Sequence, residues 1–200
     1  MIMTDIRINS TLCYIEKNGC YLMLFRNKKK QDPCEGKWVG VGGKFEIGES
    51  AQDCVLREVK EETGLLLTDY HFCGIVHFVS DTWPDEDMYL YTAKAFEGND
   101  AFPFFSPSCL QQETLNGIGQ IPSVFDCDEG ELCWIPKDQI LQLNLWEGDK
   151  FFLEPLIAGE DQLEMTCRYE GHRCVEVIRQ EKNGDNHQSE HKTSKDGGIK

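Results

Sequence analysis

The 200-residue sequence lacks any run of about 18 apolar residues, and its N-terminal stretch contains no apolar signal core. The first absence argues against a membrane-spanning helix and the second against export. Positive charge is also scarce, since 20 Lys and Arg stand against 35 Asp and Glu, for a net charge of −15. A chain of this charge does not hold a nucleic acid by electrostatics alone. We therefore expect a cytoplasmic monomer or homodimer with no membrane partner and no stable nucleic-acid partner.

Ten cysteines would suit a disulfide framework, but the sequence contains no Cys-x-x-Cys pair. The closest pairs, Cys127 with Cys133 and Cys167 with Cys174, are too widely spaced for a zinc knuckle. In a reducing compartment such thiols stay reduced. We expect most of them to be buried or inert.

The length and the 40% hydrophobic content predict one domain over residues 1–180. Residues 99–126 interrupt it with three of the seven prolines and no Lys or Arg. This insertion is too long for a passive connection, so it is a lid, an oligomer contact or a disordered insert. Residues 181–200 contain one aliphatic side chain and predict a disordered tail.

Turn residues and apolar patterns place most of the elements. Residues 11–25 predict a β-hairpin, because Asn18 and Gly19 readily take the positive φ that its turn requires. A short glycine-rich strand is predicted at 38–45, two longer strands at 71–80 and 88–98, and another short strand at 131–136. A partly helical segment is predicted at 137–159 and a final hairpin at 162–180.

A basic loop is predicted at residues 26–37, RNKKKQDPCEGK. Arg26 there either faces a phosphate group or is simply solvated. The pattern favours a solvated face for the three lysines that follow it, Lys28, Lys29 and Lys30.

Residues 51–63 predict a helix, with Ser50 as its N-terminal cap and Gly64 as its stop. At about 100° per residue, one stripe of this helix is apolar and the adjacent stripe carries Glu58, Glu61 and Glu62. Like charges three or four residues apart repel by roughly 0.2–0.5 kcal/mol per pair. The cluster is therefore either a solvated acidic face or a site for a hard divalent cation such as Mg²⁺ or Mn²⁺.

The spacing of the residues around this cluster favours a cation site over a solvated face. From Gly43 the chain reads G-x5-E-x7-R-E-V-K-E-E-T-G-L. This resembles the Nudix box, G-x5-E-x7-R-E-U-x-E-E-x-G-U, in which U is a bulky aliphatic residue. All specified positions are matched, by Gly43, Glu49, Arg57, Glu58, Val59, Glu61, Glu62, Gly64 and Leu65.

The resemblance implies an α/β fold, with an α/β/α sandwich around a mixed β-sheet. It also implies Mg²⁺-dependent hydrolysis of a nucleoside diphosphate linked to another moiety. Residue by residue, Glu58 and Glu62 are then metal ligands beside the Gly42 carbonyl, and Glu61 is a further ligand or lies behind the ligands. Arg57, paired with acidic neighbours such as Glu49, would hold the loop and the helix together.

Two further stretches, GKWVGVGGKFEIGE and LNLWEGDKFFLEPL, resemble the MutT-type 8-oxo-dGTP diphosphatases, which clear oxidised purine triphosphates from the nucleotide pool. By this resemblance Trp146 stacks on the purine and Asp149 bonds its edge, unless Trp146 is a core aromatic. Glu129 sits where that group places another catalytic carboxylate over the metal, unless it is a surface acid. Arg26, Lys44 and Thr11 complete the substrate-binding candidates.

One departure concerns the base. Val39 stands where some of these enzymes have an Asn that helps to read it, and a valine cannot make that hydrogen bond. Two alternatives therefore stay open. One is a Nudix hydrolase of a nucleotide sugar, a dinucleotide or an ordinary dNTP, and the other is an inactive nucleotide-sensing domain. The intact set of Glu58, Glu61 and Glu62 weighs against the second.

Overall fold

The computed structural model describes residues 7–30, 32–104 and 127–180. The predictions for residues 105–126 and for the tail at 181–200 lie outside these ranges. The helices and strands of the described residues are β1 Ile8–Lys17, β2 Cys20–Arg26, β3 Trp38–Val39, α1 Ala51–Thr63, β4 Leu66–Ser80, β5 Glu86–Glu97, β6 Gly130–Pro136, a 3-10 helix Ile140–Gln142, α2 Asp149–Ile157, β7 Leu163–Glu170 and β8 Arg173–Arg179. None of the described helices is long and apolar enough to cross a bilayer.

The strands form one mixed sheet in the order β3-β2-β1-β5-β4-β7-β8, with β6 paired to β2. The β1–β5 and β4–β7 pairs are parallel, and the other strand pairs are antiparallel. The first hairpin turns at Asn18 and Gly19, whose φ values are 51° and 76°. The predicted mixed sheet and its first and last hairpins are confirmed.

The sheet has a core on each face. Along β2, Tyr21 and Met23 point to the core that contains Phe152 of α2, whereas Leu22 points to the core that contains Val55 of α1. Because β2 is buried on both faces, its sequence is continuously apolar instead of alternating. The two helices thus cover opposite faces, as the predicted α/β/α sandwich requires.

Several boundaries differ from the prediction: β1 begins at Ile8, β5 begins at Glu86, and the strand predicted at 38–45 ends at Val39. β4 begins at Leu66, five residues before the predicted strand, because Leu66 pairs with Glu97 beyond a series of irregular steps in the register. The segment at 137–159 is partly helical, as predicted, in its 3-10 turn and in α2. Seven of the nine described cysteines are buried, in line with the expectation for most thiols.

The start of the predicted insertion packs against the sheet. Phe102 is buried, and the Pro103 carbonyl accepts a hydrogen bond of 2.8 Å from the Trp134 backbone. The Phe104 ring stacks on the Trp134 ring at a centroid distance of 6.4 Å. The first described residues of the insertion are therefore held by β6.

The chain leaves β3 and crosses from β2 to β1, which brings a glycine loop to the start of α1. Val41 bridges to Cys13, and Lys44 bridges to Ser10. Gly42 has φ 153°, and a Cβ on it would overlap the Thr11 carbonyl oxygen. Only glycine fits this approach of two backbones.

Candidate active site

Glu62 connects α1 to the glycine loop. Its Oε2 accepts a hydrogen bond of 3.0 Å from the Gly42 N–H. Its Oε1 is buried and has no hydrogen-bond partner among the described residues. Burial, followed by the charges of Glu129 and Glu58, raises the pKa of Glu62 far above its usual range, against the opposing Gly42 bond. One carboxylate oxygen is thus left desolvated and unpaired.

Glu58 lies one turn earlier and packs on Gly43. A Cβ on Gly43 would lie 2.5 Å from Glu58 Oε1, so the carboxylate occupies the space that a side chain there would fill. Burial raises the pKa of Glu58, although the hydrogen bond from Arg57 opposes this shift. Two carboxylates at this end of α1 are therefore held in a poorly solvated position.

Arg57 ties the loop to the helix. Its Nε and Nη2 each donate to a different oxygen of Glu49 at 2.8 Å, a bidentate pair. Its Nη1 donates to Glu58 Oε1 at 2.7 Å and to Glu61 Oε2 at 3.2 Å, and its Nη2 also reaches the Lys44 carbonyl at 3.1 Å. The hydrogen bond from Arg57 is the main reason that the pKa of Glu49 falls to about 2.

Glu61 differs from its two neighbours. Its side chain is 61% exposed, against 16% for Glu58, and it contacts the outer side of Arg57. The three predicted carboxylates therefore divide into two desolvated groups and one solvated group.

Glu129 precedes β6 and lies close enough to Glu62 and Glu58 to raise the pKa of both. Its two oxygens are paired, one with Arg26 and one with Lys29. Arg26 also donates to Asp32 Oδ2 at 2.8 and 2.6 Å. Arg26 is thus engaged by two carboxylates, which neither interpretation had anticipated, whereas Lys29 pairs with Glu129 and is still exposed, in line with the predicted solvated face.

The described residues contain no ready-made group of three His, Cys, Asp or Glu side chains that could hold a metal ion. The reason is visible in the pairing: Arg57 occupies Glu58, and Arg26 and Lys29 occupy Glu129. The donor set is nevertheless all oxygen, and it includes the unpaired Oε1 of Glu62. Such a set fits a hard divalent cation, which would relieve the repulsion between these carboxylates.

Trp146 stands just before α2 and is half-buried. Its ring stacks on His172 at a centroid distance of 5.5 Å and meets Tyr169 edge-on at 5.6 Å. Its Nε1 lies 3.5 Å from Cys34 Sγ, and Lys37 Nζ is 5.4 Å from its centroid. The indole is therefore packed on the edge of the core that faces α2, with part of its surface still accessible.

Asp149, the first residue of α2, is one turn from Trp146, whose carbonyl accepts its backbone N–H at 3.1 Å. Burial raises the pKa of Asp149 to about 7, against the smaller opposing effects of the Trp146 backbone and of Lys37. Near neutral pH this carboxyl group is present in both forms, so it can donate or accept a hydrogen bond.

The remaining candidates are more dispersed. The Lys44 side chain is exposed, and the Lys44 backbone carbonyl accepts a hydrogen bond from Arg57. Thr11 is completely buried, with its hydroxyl 3.5 Å from Cys54 Sγ, so its position supports packing of β1 against α1 more than contact with a substrate. Val39 packs at the border of the core that faces α1. Sequence reasoning missed Asp32, Cys34, Lys37 and His172, because these residues meet the site only through tertiary contacts and belong to no pattern.

Comparison with known proteins places this geometry in a family. A family model described as the NUDIX domain matches residues 7–155. The chain belongs to the Nudix family. Nudix hydrolases act on small-molecule nucleotides, so the chain is an enzyme of that class.

Curated Nudix relatives match over most of their length. The chain is 28% identical over 167 residues to the uncharacterized Nudix hydrolase YvcI of Bacillus subtilis, covering 80% of this chain and 85% of YvcI. It is 25% identical over 167 residues to the oxidized purine nucleoside triphosphate hydrolase of Danio rerio, covering 82% and 88% of the two chains.

Solved structures support the Nudix fold. A mutator MutT protein from Bacillus halodurans superposes with a TM-score of 0.66 at 24% identity, over 86% of this chain and 97% of that one. A MutT NUDIX hydrolase from Burkholderia pseudomallei gives a TM-score of 0.55 at 24% identity, over 74% and 96% of the two chains. At this identity the likeness concerns the fold alone.

Proposed function

We propose that this Nudix hydrolase cleaves a purine nucleoside triphosphate, with 8-oxo-dGTP as the first substrate to test, in a reaction that needs Mg²⁺ or Mn²⁺. The products would be a nucleoside monophosphate and pyrophosphate. In a cytoplasmic setting the reaction would remove oxidised purine nucleotides before a polymerase can insert them into DNA.

The observation that carries the proposal is the state of Glu62. A buried, ionisable oxygen without a partner is costly unless something binds it. Glu58 and Glu129 add negative charge around it, which raises the cost further. Glu58, Glu62 and the Gly42 carbonyl, with Glu129 nearby, would hold a divalent cation, which would offset the negative charge of this group. When bound, such a cation supplies positive charge that neutralises phosphate oxygens.

The chain's own residues then have defined tasks. Water attacks a phosphorus inside the polyphosphate, a new P–O bond forms, the bridging P–O bond breaks, and pyrophosphate leaves. A carboxylate of α1 accepts the proton of that water. Arg57 keeps the carboxylates and the glycine loop in register through Glu49.

The base would be read at the other end of the site. The accessible part of the Trp146 indole offers a stacking surface, and Asp149 offers a carboxyl group that can donate or accept. The zebrafish relative, whose name specifies oxidized purine triphosphates, supports this choice.

One observation favours a second candidate, hydrolysis of an ordinary purine triphosphate. Val39 presents no hydrogen-bonding group, so the discrimination between an oxidised and a normal purine would rest on Asp149 alone. A site that reads a polar group rejects the analogue without it far more strongly than an apolar pocket does.

A substrate panel tests the proposal. Pyrophosphate release is measured for 8-oxo-dGTP, dGTP and dATP, with ADP-ribose, a nucleotide sugar and a dinucleotide assayed for monophosphate release. Each is run with Mg²⁺, with Mn²⁺ and with EDTA. We expect kcat/KM to be highest for 8-oxo-dGTP and activity to vanish in EDTA. Faster cleavage of ADP-ribose or of a nucleotide sugar would refute the substrate, and full activity in EDTA would refute the cation.

A further inference from the structure

The basic loop at residues 26–37 joins the two ends of the candidate site, through its described residues. At one end Arg26 pairs with Glu129, beside Glu62. Arg26 also donates twice to Asp32 Oδ2, and Asp32 Oδ1 accepts the Cys34 backbone N–H at 3.0 Å. The Asp32 side chain is only 10% exposed, so these bonds are largely protected from water. One carboxylate therefore fixes both Arg26 and the backbone of Cys34.

Cys34 carries the contact on to the indole. The indole N–H of Trp146 donates to Cys34 Sγ at 3.5 Å, within the range of a hydrogen bond to sulfur. Burial raises the pKa of the Cys34 thiol, so the sulfur is a neutral, weak acceptor at neutral pH. Glu129, Arg26, Asp32, Cys34 and Trp146 are thus connected by successive hydrogen bonds and ion pairs.

This bond differs from the other contacts of Trp146. Lys37, Tyr169 and His172 contact the ring without a hydrogen bond to its N–H, so these contacts do not by themselves fix which edge of the ring faces the loop. Nε1 is the indole's one polar atom, so its hydrogen bond determines which edge of the ring faces the loop. The edge that remains accessible to a base follows from that choice.

We propose that Asp32 is a positioning residue that fixes the Trp146 indole through Cys34 and thereby sets the affinity for the nucleobase. The consequence for the nucleobase rests on the proposed function, whereas the orientation of the indole does not. The two parts are therefore measured separately.

The orientation is tested by ¹⁹F NMR on protein labelled with 5-fluorotryptophan, in which Trp146→Phe assigns one of the four tryptophan resonances. Asp32→Ala and Cys34→Ala should both shift the Trp146 resonance. Cys34→Ser, which keeps an acceptor at the same place, should restore it. Glu35→Ala is the matched control, because Glu35 is an exposed carboxylate in the same loop.

The affinity is tested by kinetics with 8-oxo-dGTP and dGTP. Cys34→Ala should raise KM about three- to tenfold, the effect of losing one hydrogen bond of ordinary net strength, and leave kcat unchanged. The same substitution in a Trp146→Ala background should change KM no further, since the group being positioned is gone.

A Trp146 resonance that ignores Asp32→Ala or Cys34→Ala overturns the proposal, and so does a KM that rises equally in the Trp146→Ala background. If Asp32→Ala prevents folding, the contrast between Cys34→Ala and Cys34→Ser decides alone. A wild-type protein that hydrolyses none of the nucleotides refutes the proposed function, and a shifted resonance in the variants then still supports the positioning of the indole.

Discussion

The two ends of the candidate site are assembled in opposite ways. At the phosphate end, Arg57, Glu58 and Glu62 come from one helix, and the glycine loop comes from the residues just before it. At the base end, Trp146 meets Cys34 from one loop and His172 from a distant turn. The residues of the first end, apart from Glu129, are specified by local spacing, whereas those of the second are brought together by long-range contacts. Chemistry common to a family can be encoded locally, whereas substrate choice depends on tertiary packing.

Glu62→Gln should have the largest effect and should break the phosphate end alone. The change removes the ionisable group and keeps its shape, so kcat should fall by about 10²- to 10⁴-fold, while the free energy of unfolding stays close to that of the wild type. Turnover at saturating Mg²⁺ and urea denaturation are the measurements. Glu154→Gln, at an exposed carboxylate of α2, is the control. Wild-type turnover in Glu62→Gln would mean that Glu62 takes no part in catalysis.

Gly42→Ala should come next, because the loop tolerates no Cβ against Thr11. We expect a loss of about 2–4 kcal/mol in the free energy of unfolding, from backbone strain and overlap together. Gly48→Ala is the matched control, since Gly48 also has a positive φ but a Cβ there meets no atom within 4 Å. It should cost about 1–2 kcal/mol. Equal losses in the two variants would mean that the contact with β1 contributes nothing.

Trp146→Ala should weaken binding of the base and leave binding of the cation unchanged. Loss of stacking is worth about 1–3 kcal/mol per base, which raises KM for purine triphosphates roughly ten- to a hundredfold. The dependence of rate on Mg²⁺ concentration should stay as in the wild type. A drop in melting temperature with unchanged KM would instead identify the indole as a core aromatic.

Asp149→Asn should have the smallest effect on turnover, and it sharpens the comparison through the dependence of stability on pH. Burial raises its pKa to about 7 in the folded chain, so between pH 4 and 7 the unfolded chain loses this proton before the folded chain does. Stability should therefore decline as pH rises through this window, at up to about 1.4 kcal/mol per pH unit, the limit for one proton.

Denaturation at several pH values measures the slope of the free energy of unfolding against pH. Asp149→Asn should remove the part of that slope that comes from Asp149. The same variant should change the ratio of kcat/KM for 8-oxo-dGTP and dGTP, because a fixed amide presents other donors than a titrating acid. An unchanged ratio would leave the proposed preference for oxidised purines without local support.

Much of the fold was predictable, since it depends on local chemistry. Asn18 and Gly19 specify a hairpin turn, and Ser50 and Gly64 delimit α1: the Ser50 side chain accepts from the Asp53 N–H, and Gly64 takes φ 71°. The partners of Arg26 and the burial of Thr11 were not predictable. β1 is buried on both faces near Thr11, so no alternation of polar and apolar residues reveals which way a side chain points.

The close approach of Gly42 to Thr11 means that the local pattern is not an autonomous unit. A synthetic peptide of residues 38–65 would contain the glycines, Arg57 and all the acidic residues of α1. It would lack β1, whose Thr11 N–H bonds the Gly43 carbonyl at 2.9 Å and whose Cys13 bonds Val41 in both directions. The proposed cation affinity would therefore be a property of the folded sheet, and its loss on heating or in denaturant would report global unfolding.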